Sequence, residues 1–240
     1  MSKRNEKKIS RKNHKGIMIS DARIISIFDE TTDRFQHAIA QVEQAIPGVP
    51  ISKHAGVDVR DTSDIWNAGE YGCAMAHQNA IKSIASEKHE DDLSFSCVFE
   101  DDVTFTNRNT VFELLEKHPM PSDANILQLG FRLRPELSDP DHEIGYNKDL
   151  RIACHAYCIN GRGARLLDDH LNNAWPQTCP VKKFSGPPVD LAWVGAPNSY
   201  SLRDDDTTIE LKNDFMNGSG IFSQKRDNKV WKSSIQGRRI

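Results

Sequence analysis

The sequence lacks an apolar run that could cross a lipid bilayer, which takes roughly 18 or more consecutive apolar residues. No apolar segment follows the basic N-terminus, so we do not expect a secretory signal peptide. With 38% hydrophobic and 27% charged residues, the composition is ordinary for a soluble globular protein. We therefore expect a cytoplasmic protein whose 240 residues form one main domain.

Cysteines are few, and no Cys-x-x-Cys pair occurs among them. The five are Cys73, Cys97, Cys154, Cys158 and Cys179. An odd number without a paired motif favours free, buried thiols in a reducing compartment. A zinc site on Cys154, His155 and Cys158 is disfavoured, because neighbouring residues of a strand point to opposite faces of the sheet.

The charge distribution argues against nucleic-acid binding. The net charge is −3, yet residues 1–15 contain seven Lys or Arg and one Glu, so the rest of the chain is acidic. Segment 1–15 is predicted to be a disordered basic tail, which can contact an anionic membrane surface peripherally, for example at the inner membrane face. We assign 16–215 to the folded domain and 216–240 to a C-terminal extension that packs on it or trails from it. The polar stretch from about Asp204 is expected to be irregular.

Strand patterns and helix patterns alternate along the chain. In 34–46 the apolar residues recur at helical spacing, and the β-rich runs 22–28 and 51–59 flank this helix. Such a strand–helix–strand order predicts an α/β fold with a mostly parallel central sheet. Further helices are predicted at 111–117 and 161–171, and further strands at 94–99, 124–130 and 152–160.

Another helix pattern begins near Asn67, which can cap the helix with Glu70 as its capping-box partner. A stripe of small and apolar residues follows at helical spacing, and His77 lies within this stripe. A histidine in such a stripe is more often a core residue than a catalytic one. Both interpretations stay open for His77, as capping and ligand binding do for Glu70.

Three acidic residues, Glu100, Asp101 and Asp102, directly follow the apolar strand 94–99. Ligands of open α/β sheets bind beyond the carboxyl ends of strands, so a site is expected here. If the backbone stays extended, Glu100 and Asp102 share one face and Asp101 takes the other. Two carboxylates on one face suit Mg²⁺ or Mn²⁺, which can neutralise a departing diphosphate. A solvated loop is the alternative, and a second acidic triplet lies at 204–206.

Residues 69–105 resemble the central motif of glycosyltransferase family 25, which includes bacterial lipooligosaccharide galactosyltransferases and collagen galactosyltransferases. The resemblance lies in Gly-Glu-Tyr-Gly-Cys at 69–73, in His77, and in Val-Phe-Glu-Asp-Asp at 98–102. Ala76 stands where the family has serine. Weaker matches in the family's order extend the resemblance over about residues 22–235.

The resemblance implies a GT-A-type nucleotide-diphospho-sugar transferase fold with Mn²⁺ or Mg²⁺ as cofactor. It also implies an inverting transfer of a hexose, commonly galactose, from a UDP-sugar to an acceptor hydroxyl. The acceptor would be a glycan, a lipid-linked glycan such as lipooligosaccharide, or a protein. A catalytically silent relative that binds a sugar nucleotide or a glycan is the alternative. A metal-dependent phosphoesterase or nuclease is a third hypothesis. The sequence argues against it, because it lacks the set of spaced carboxylates and histidines that is usual in those enzymes.

The predicted metal ligands are Asp102 and Glu100. The predicted donor-binding residues are Arg34, Glu70, His77, Glu100 and Asp101. Arg34 suits a diphosphate because a guanidinium binds phosphate oxygens in pairs, although an ion pair with a nearby acid such as Asp33 is equally compatible. No histidine follows His170, so a late third metal ligand would have to be a carboxylate, a carbonyl or water.

Asp190 is the predicted general base. It lies in Pro188-Val189-Asp190, which resembles a late Pro-x-Asp of the family. A carboxylate that binds a metal is a poor base, so the base should be a separate acid on the acceptor side. Capping of a following helix and metal binding are the alternatives for Asp190.

Overall fold

A computed structural model describes residues 18–59, 68–89, 93–107, 109–117, 119–133, 146–148, 151–174, 198–202, 219–220 and 222–224. In chain order its elements are β1 (Met18–Ser26), α1 (Asp33–Ala45), β2 (Ile51–Ala55), α2 (Ala68–Glu87), β3 (Ser94–Glu100), β4 (Val103–Phe105), α3 (Val111–Lys117), β5 (Ile126–Leu133), β6 (Tyr146–Lys148), β7 (Arg151–Asn160), α4 (Gly161–Ala174), β8 (Ser199–Leu202), β9 (Ser219–Gly220) and β10 (Phe222–Gln224). The predictions for the tail 1–15, for Asn67 and for Asp190 concern residues outside these ranges.

The central sheet has the strand order β2-β1-β3-β7-β5-β8-β6, and β9 pairs with β5. β1 is parallel to both β2 and β3, and β8 is parallel to β5. β7 runs antiparallel between β3 and β5, so β1, β2, β3, β5 and β8 share one direction, while β6, β7 and β9 run against them. The predicted α/β fold with a mostly parallel central sheet is confirmed.

Local sequence signals explain the limits of α1. Thr32 caps the helix, and its side chain accepts a hydrogen bond of 3.4 Å from the backbone N–H of Phe35. The helix ends at Ala45, shortly before Gly48, whose positive φ of 79° suits glycine. Phe35 and Val42 are buried on its inner face, as the apolar spacing predicts. The observed helix thus lies within one residue of the predicted one.

An apolar cluster covers each face of the sheet, as alternation along the strands requires. On one face Ile24 and Phe99 pack with apolar residues of α1 and α3. On the other face Ile25 and Val98 pack with apolar residues of α2 and α4. Each fully buried aliphatic or aromatic side chain contributes about 1.5–3 kcal/mol relative to an exposed one. Because both faces are covered, β3 is buried along its whole length up to Glu100.

A disulfide joins Cys97 and Cys158, so the prediction of free thiols is wrong for these two residues. They lie directly opposite each other on the antiparallel strands β3 and β7, with their Cα atoms 3.9 Å apart. The pairing depends on the strand register, which the sequence does not reveal across a separation of 61 residues. The zinc site on Cys154, His155 and Cys158 is excluded, since the sulfur of Cys158 is bonded to Cys97. Cys73 is a free thiol.

The C-terminal part of the chain contributes strands that the sequence analysis missed. β10 pairs antiparallel with β4, which begins one residue after the acidic triplet. β9 pairs with β5. The expectation of irregular structure after about Asp204 is therefore wrong for β9 and β10, whose short polar sequences carry no strand pattern of their own.

The helix α2 approaches the segment after β2 closely at Gly72. A Cβ atom at this position would lie 2.6 Å from the carbonyl oxygen of Val57. Glycine therefore permits the contact that forms one wall of the site described below. Although α2 has 20 residues, no helix in the described ranges is both long and apolar enough to span a membrane.

We predict that Gly72→Ala lowers the free energy of unfolding by about 1–3 kcal/mol, because the added carbon displaces the backbone at Val57. Helix propensity alone predicts the opposite sign, a gain of about 1 kcal/mol. Asn79→Ala, at an exposed position of the same helix, is the control and should gain roughly 0.5 kcal/mol. Urea denaturation measures both changes, and a more stable Gly72→Ala variant would contradict the close contact.

Candidate active site

A pocket opens where the parallel strands β1 and β3 end, and it holds about 590 Å³ of empty space including its open mouth. Its walls come from the end of β1, the segment 56–59 after β2, the first half of α2, and the acidic triplet after β3. Carboxyl ends of parallel strands are where α/β sheets bind their ligands. The pocket therefore lies at the edge of the sheet that the sequence indicates.

All three acidic side chains line this pocket. The strand β3 ends at Glu100, and Asp101 and Asp102 lie in a turn. The alternation of an extended chain therefore does not continue through the triplet: Glu100 faces α2, whereas Asp101 and Asp102 both lie beside Arg34 of α1. Each of the three residues is at most 9% exposed, so their charges need partners within the protein.

Arg34 and Ser26 occupy both oxygens of the Asp101 carboxylate. The Nε of Arg34 donates to Oδ1 at 2.7 Å, and a second guanidinium nitrogen forms an ion pair with the same oxygen. The hydroxyl of Ser26 donates to Oδ2 at 2.6 Å. Burial raises the pKa of Asp101, and the charge of Arg34 and the hydrogen bond from Ser26 offset only part of this effect. Asp101 is thus fixed by contacts from the beginning of α1 and the end of β1.

Arg34 also links the triplet together. Its guanidinium lies 3.6 Å from Oδ2 of Asp102 and stacks over the ring of Phe28, 5.4 Å from the ring centre. Arg34 is only 5% exposed. A buried arginine beside two carboxylates lowers the electrostatic cost of placing them together.

Glu100 has partners on the opposite side, in α2. Its Oε1 lies 3.2 Å from Nε2 of His77 and accepts a hydrogen bond of 3.7 Å from the thiol of Cys73. The Nδ1 of the fully buried His77 lies 3.3 Å from the hydroxyl of Tyr157 on β7. The triplet is therefore divided, with Glu100 held by α2 and Asp101 held by α1.

Electrostatics favour an ion pair between His77 and Glu100. Burial would lower the pKa of His77, but its contacts with Cys73 and Glu100 outweigh burial and raise that pKa to about 10. Burial would raise the pKa of Glu100, but the hydrogen bond and charge of His77 lower it to about 2. The contact between the two side chains therefore favours the ionised form of Glu100 and the protonated form of His77.

The structure brings together most of the side chains that the sequence analysis selected. Arg34, His77 and the acidic triplet line one pocket. Glu70 lies in the first turn of α2, but its side chain is outside the described part of the structure. Asp190 also lies outside the described residues.

Three contributors to the site were not among the site residues selected from the sequence, although Cys73 belongs to the family motif at 69–73. Ser26 is the last residue of β1, which pairs in parallel with β3. Neighbouring parallel strands end at the same edge of the sheet, so the position of Ser26 at the end of its strand could have indicated that it lies near the triplet. Cys73 lies four residues before His77, which places both on one helix face. No pattern indicates Tyr157, because its contact depends on the position of β7 beside β3.

Comparison with known proteins gives one family and a number of similar structures, two of which are described below. The sequence model of glycosyltransferase family 25 (LPS biosynthesis protein) matches residues 59–181, slightly more than half of the chain. No curated protein matches the sequence. The crystal structure of A197 from STIV is similar with 10% identity, a TM-score of 0.43, and coverage of 77% of this chain and 82% of that one. A glycosyltransferase involved in the glycosylation of the major capsid of PBCV-1 is similar with 11% identity, a TM-score of 0.42, and coverage of 79% and 84%.

We predict that Arg34→Met lowers the free energy of unfolding by about 3–5 kcal/mol, because it leaves the buried carboxylate of Asp101 without its cation. Asp101→Asn in the Arg34→Met background should recover part of the loss, since it removes the uncompensated charge. Lys82→Met is the control: Lys82 is 45% exposed and 4.0 Å from Asp168, so its loss should cost less than about 1 kcal/mol. Denaturant unfolding measures the series, and equal losses at Arg34 and Lys82 would refute the role of the buried pair.

Proposed function

Because the chain belongs to glycosyltransferase family 25 and is a glycosyltransferase, we propose that it transfers a hexose, galactose in the first instance, from a UDP-sugar to an acceptor hydroxyl with inversion. The observation that carries this proposal is the acidic triplet inside the pocket at the end of β3. A nucleotide-sugar carries its charge on the diphosphate. A pocket that combines carboxylates for a cation with a buried arginine is suited to that group.

The residues of the triplet fit Mn²⁺ or Mg²⁺ as cofactor. Both ions prefer oxygen ligands, and the carboxylates of Asp102 and Glu100 would supply them. Asp101 is less suited to this role, since both of its oxygens already accept contacts from Arg34 and Ser26. When bound, the cation supplies charge neutralisation at the departing diphosphate.

The other side chains of the site have positioning roles in this proposal. Arg34 holds Asp101 and Asp102 in place and adds positive charge to the donor side of the pocket. His77 is fully buried and orients Glu100, so its contribution to donor binding is exerted through that carboxylate. Glu70 is proposed to contact the donor from the first turn of α2.

The acceptor is proposed to be a glycan, with lipooligosaccharide or another lipid-linked glycan preferred over a protein. The description of the family as an LPS biosynthesis protein supports this choice. With a lipid-linked acceptor, the seven basic residues of 1–15 would hold the enzyme against an anionic membrane surface.

An assay of donors tests the proposed function most directly. The full chain is incubated with Mn²⁺ and each of several UDP- and GDP-sugars, and the release of nucleoside diphosphate is measured with and without glycan acceptors. UDP-galactose should give the highest turnover, and turnover should rise with a suitable acceptor. Binding of nucleotide-sugar donors without any turnover would instead indicate a catalytically silent relative. Release of phosphate from simple esters would indicate a phosphoesterase.

We predict that a chelator stops turnover and that Asp102→Asn lowers kcat/KM by about 100-fold or more. Losing a metal ligand removes several kcal/mol of transition-state stabilisation, and about 1.4 kcal/mol corresponds to a factor of ten. Asp101→Asn should lose far less activity per folded molecule, because the oxygens of Asp101 accept hydrogen bonds from Arg34 and Ser26. Initial rates over a Mn²⁺ titration measure both variants, each checked for folding by circular dichroism. Full activity after exhaustive chelation would contradict the proposed metal dependence. A larger loss of activity in Asp101→Asn than in Asp102→Asn would contradict the role of Asp102 as a metal ligand.

The proposed base is Asp190. An inverting transfer is a single displacement in which the acceptor hydroxyl attacks the anomeric carbon opposite the leaving diphosphate. The hydroxyl proton must pass to a group within hydrogen-bond reach, and a metal-bound carboxylate has its lone pairs engaged. A separate late acid in Pro188-Val189-Asp190 meets this chemical requirement.

We predict that Asp190→Asn abolishes sugar transfer while leaving the affinity for the nucleotide donor nearly unchanged. The substitution keeps the size of the side chain but removes its ability to accept the proton. Donor affinity is measured by calorimetry with Mn²⁺, and transfer by product analysis. If the variant instead loses donor and Mn²⁺ binding, Asp190 belongs to the metal site and another group is the base.

A further inference from the structure

Three donor atoms of different chemistry meet at the α2 side of the pocket. They are Sγ of Cys73, Nε2 of His77 and Oε1 of Glu100, and all lie within 4.8 Å of one another. Sulfur to oxygen measures 3.7 Å, and nitrogen to the same oxygen measures 3.2 Å. The proposed donor cation requires only oxygen ligands, and the pairing of His77 with Glu100 does not require a thiol beside it.

These separations fit a tetrahedral zinc site. Zinc binds thiolate sulfur at about 2.3 Å and imidazole nitrogen or carboxylate oxygen at about 2.0–2.1 Å, so its ligand atoms lie roughly 3.3–3.7 Å apart. The sulfur–oxygen distance of 3.7 Å lies within this range, and the nitrogen–oxygen distance of 3.2 Å lies just below it. Thiolate and imidazole ligands favour Zn²⁺ and other thiophilic ions, whereas Mg²⁺ and Mn²⁺ favour oxygen.

The surroundings orient the donors for this role. Cys73 and His77 lie four residues apart on α2, so both project from one face of the helix toward Glu100. A metal at Nε2 of His77 leaves Nδ1–H to donate to the hydroxyl of Tyr157, 3.3 Å away, which is the arrangement that fixes the ring of a metal-binding histidine. Cys73 is partly exposed and lines the pocket, so an ion can enter from there.

We propose that Cys73, His77 and Glu100 form a second cation site, specific for a thiophilic divalent ion such as Zn²⁺, with its fourth position open to the pocket. Coordination displaces the proton from the thiol of Cys73 and the proton from Nε2 of the His77 imidazolium, and both pass to the solvent. The thiolate and the carboxylate then balance the charge of the ion. This proposal does not depend on the sugar donor or on the transfer reaction.

The test measures metal binding by the purified, metal-free full chain. Zn²⁺ affinity is determined by competition with a chromogenic chelator, and Co²⁺ serves as a spectroscopic probe. The expected result is one ion per chain, with the near-ultraviolet charge-transfer absorption of a cobalt–thiolate bond. Cys73→Ser should abolish that absorption and weaken Zn²⁺ binding by at least about 100-fold, more than the loss of an outer partner of a ligand would cause.

Matched controls separate this site from others on the chain. Cys179→Ser and His170→Gln should bind Zn²⁺ like the unmodified chain, which excludes a general effect of losing a thiol or an imidazole. Tyr157→Phe should weaken Zn²⁺ binding by about 10- to 100-fold, because it removes the partner that orients His77. Asp102→Asn should keep the Zn²⁺ affinity within about threefold.

The proposal is overturned if the unmodified chain binds no Zn²⁺, or if Cys73→Ser binds Zn²⁺ and Co²⁺ as the unmodified chain does. Either result would show that the three side chains form only an ion pair with a thiol hydrogen bond. Cys73 lies at the wall of the pocket, so the test with Cys73→Ser needs no substitution of the buried His77. Neither result bears on turnover with Mn²⁺, which tests the proposed function separately.

Discussion

The parallel pairing of β1 with β3 determines where the acidic triplet and its partners from α1 and α2 lie. Its register places Ile25 opposite Glu100, so Ser26 and Asp101 follow at the same edge of the sheet and form a hydrogen bond. The two helical connections between these parallel strands place α1 and α2 on opposite faces of the sheet. One helix therefore approaches the triplet from each side. A shift of one residue in this register would turn the side chains of β3 to the wrong faces.

The same pairing explains how adjacent acidic residues can be buried together. An isolated buried carboxylate is costly, and three in sequence would repel one another. Here each helix supplies one cation: α1 provides Arg34 for Asp101 and Asp102, and α2 provides His77 for Glu100. Such buried pairs add little net stability, since desolvation offsets their attraction. Their effect is to fix the carboxylates in the pocket before any ligand arrives.

Local patterns in the sequence predicted the elements of this arrangement well. The helix at Val111–Lys117 has the predicted limits, and the apolar run before Glu100 is the buried strand β3. Local patterns did not predict features that depend on contacts between distant segments. The reversed direction of β7 and the Cys97–Cys158 bond are set by strand pairing, which neither segment encodes alone.

The acidic triplet shows the same limit at the scale of single residues. Alternation correctly describes a strand, but it ceases to apply where the strand ends, and β3 ends at the first residue of the triplet. The sequence therefore located the site without indicating which carboxylate faces which partner. That division became apparent only from the positions of Arg34 and His77, whose helices lie on opposite sides of β3.

Glu100 stands at the junction of two sets of donor atoms. On one side it completes the oxygen ligands proposed for the donor cation, and on the other its Oε1 faces Cys73 and His77. A carboxylate bound more tightly on one side is less available on the other, and linkage requires the effect to be reciprocal. A thiophilic ion at α2 would therefore weaken the binding of Mn²⁺ by the same factor by which Mn²⁺ weakens the binding of the thiophilic ion. The position of this one side chain, fixed by the end of β3, thus couples the electrostatics of the two halves of the pocket.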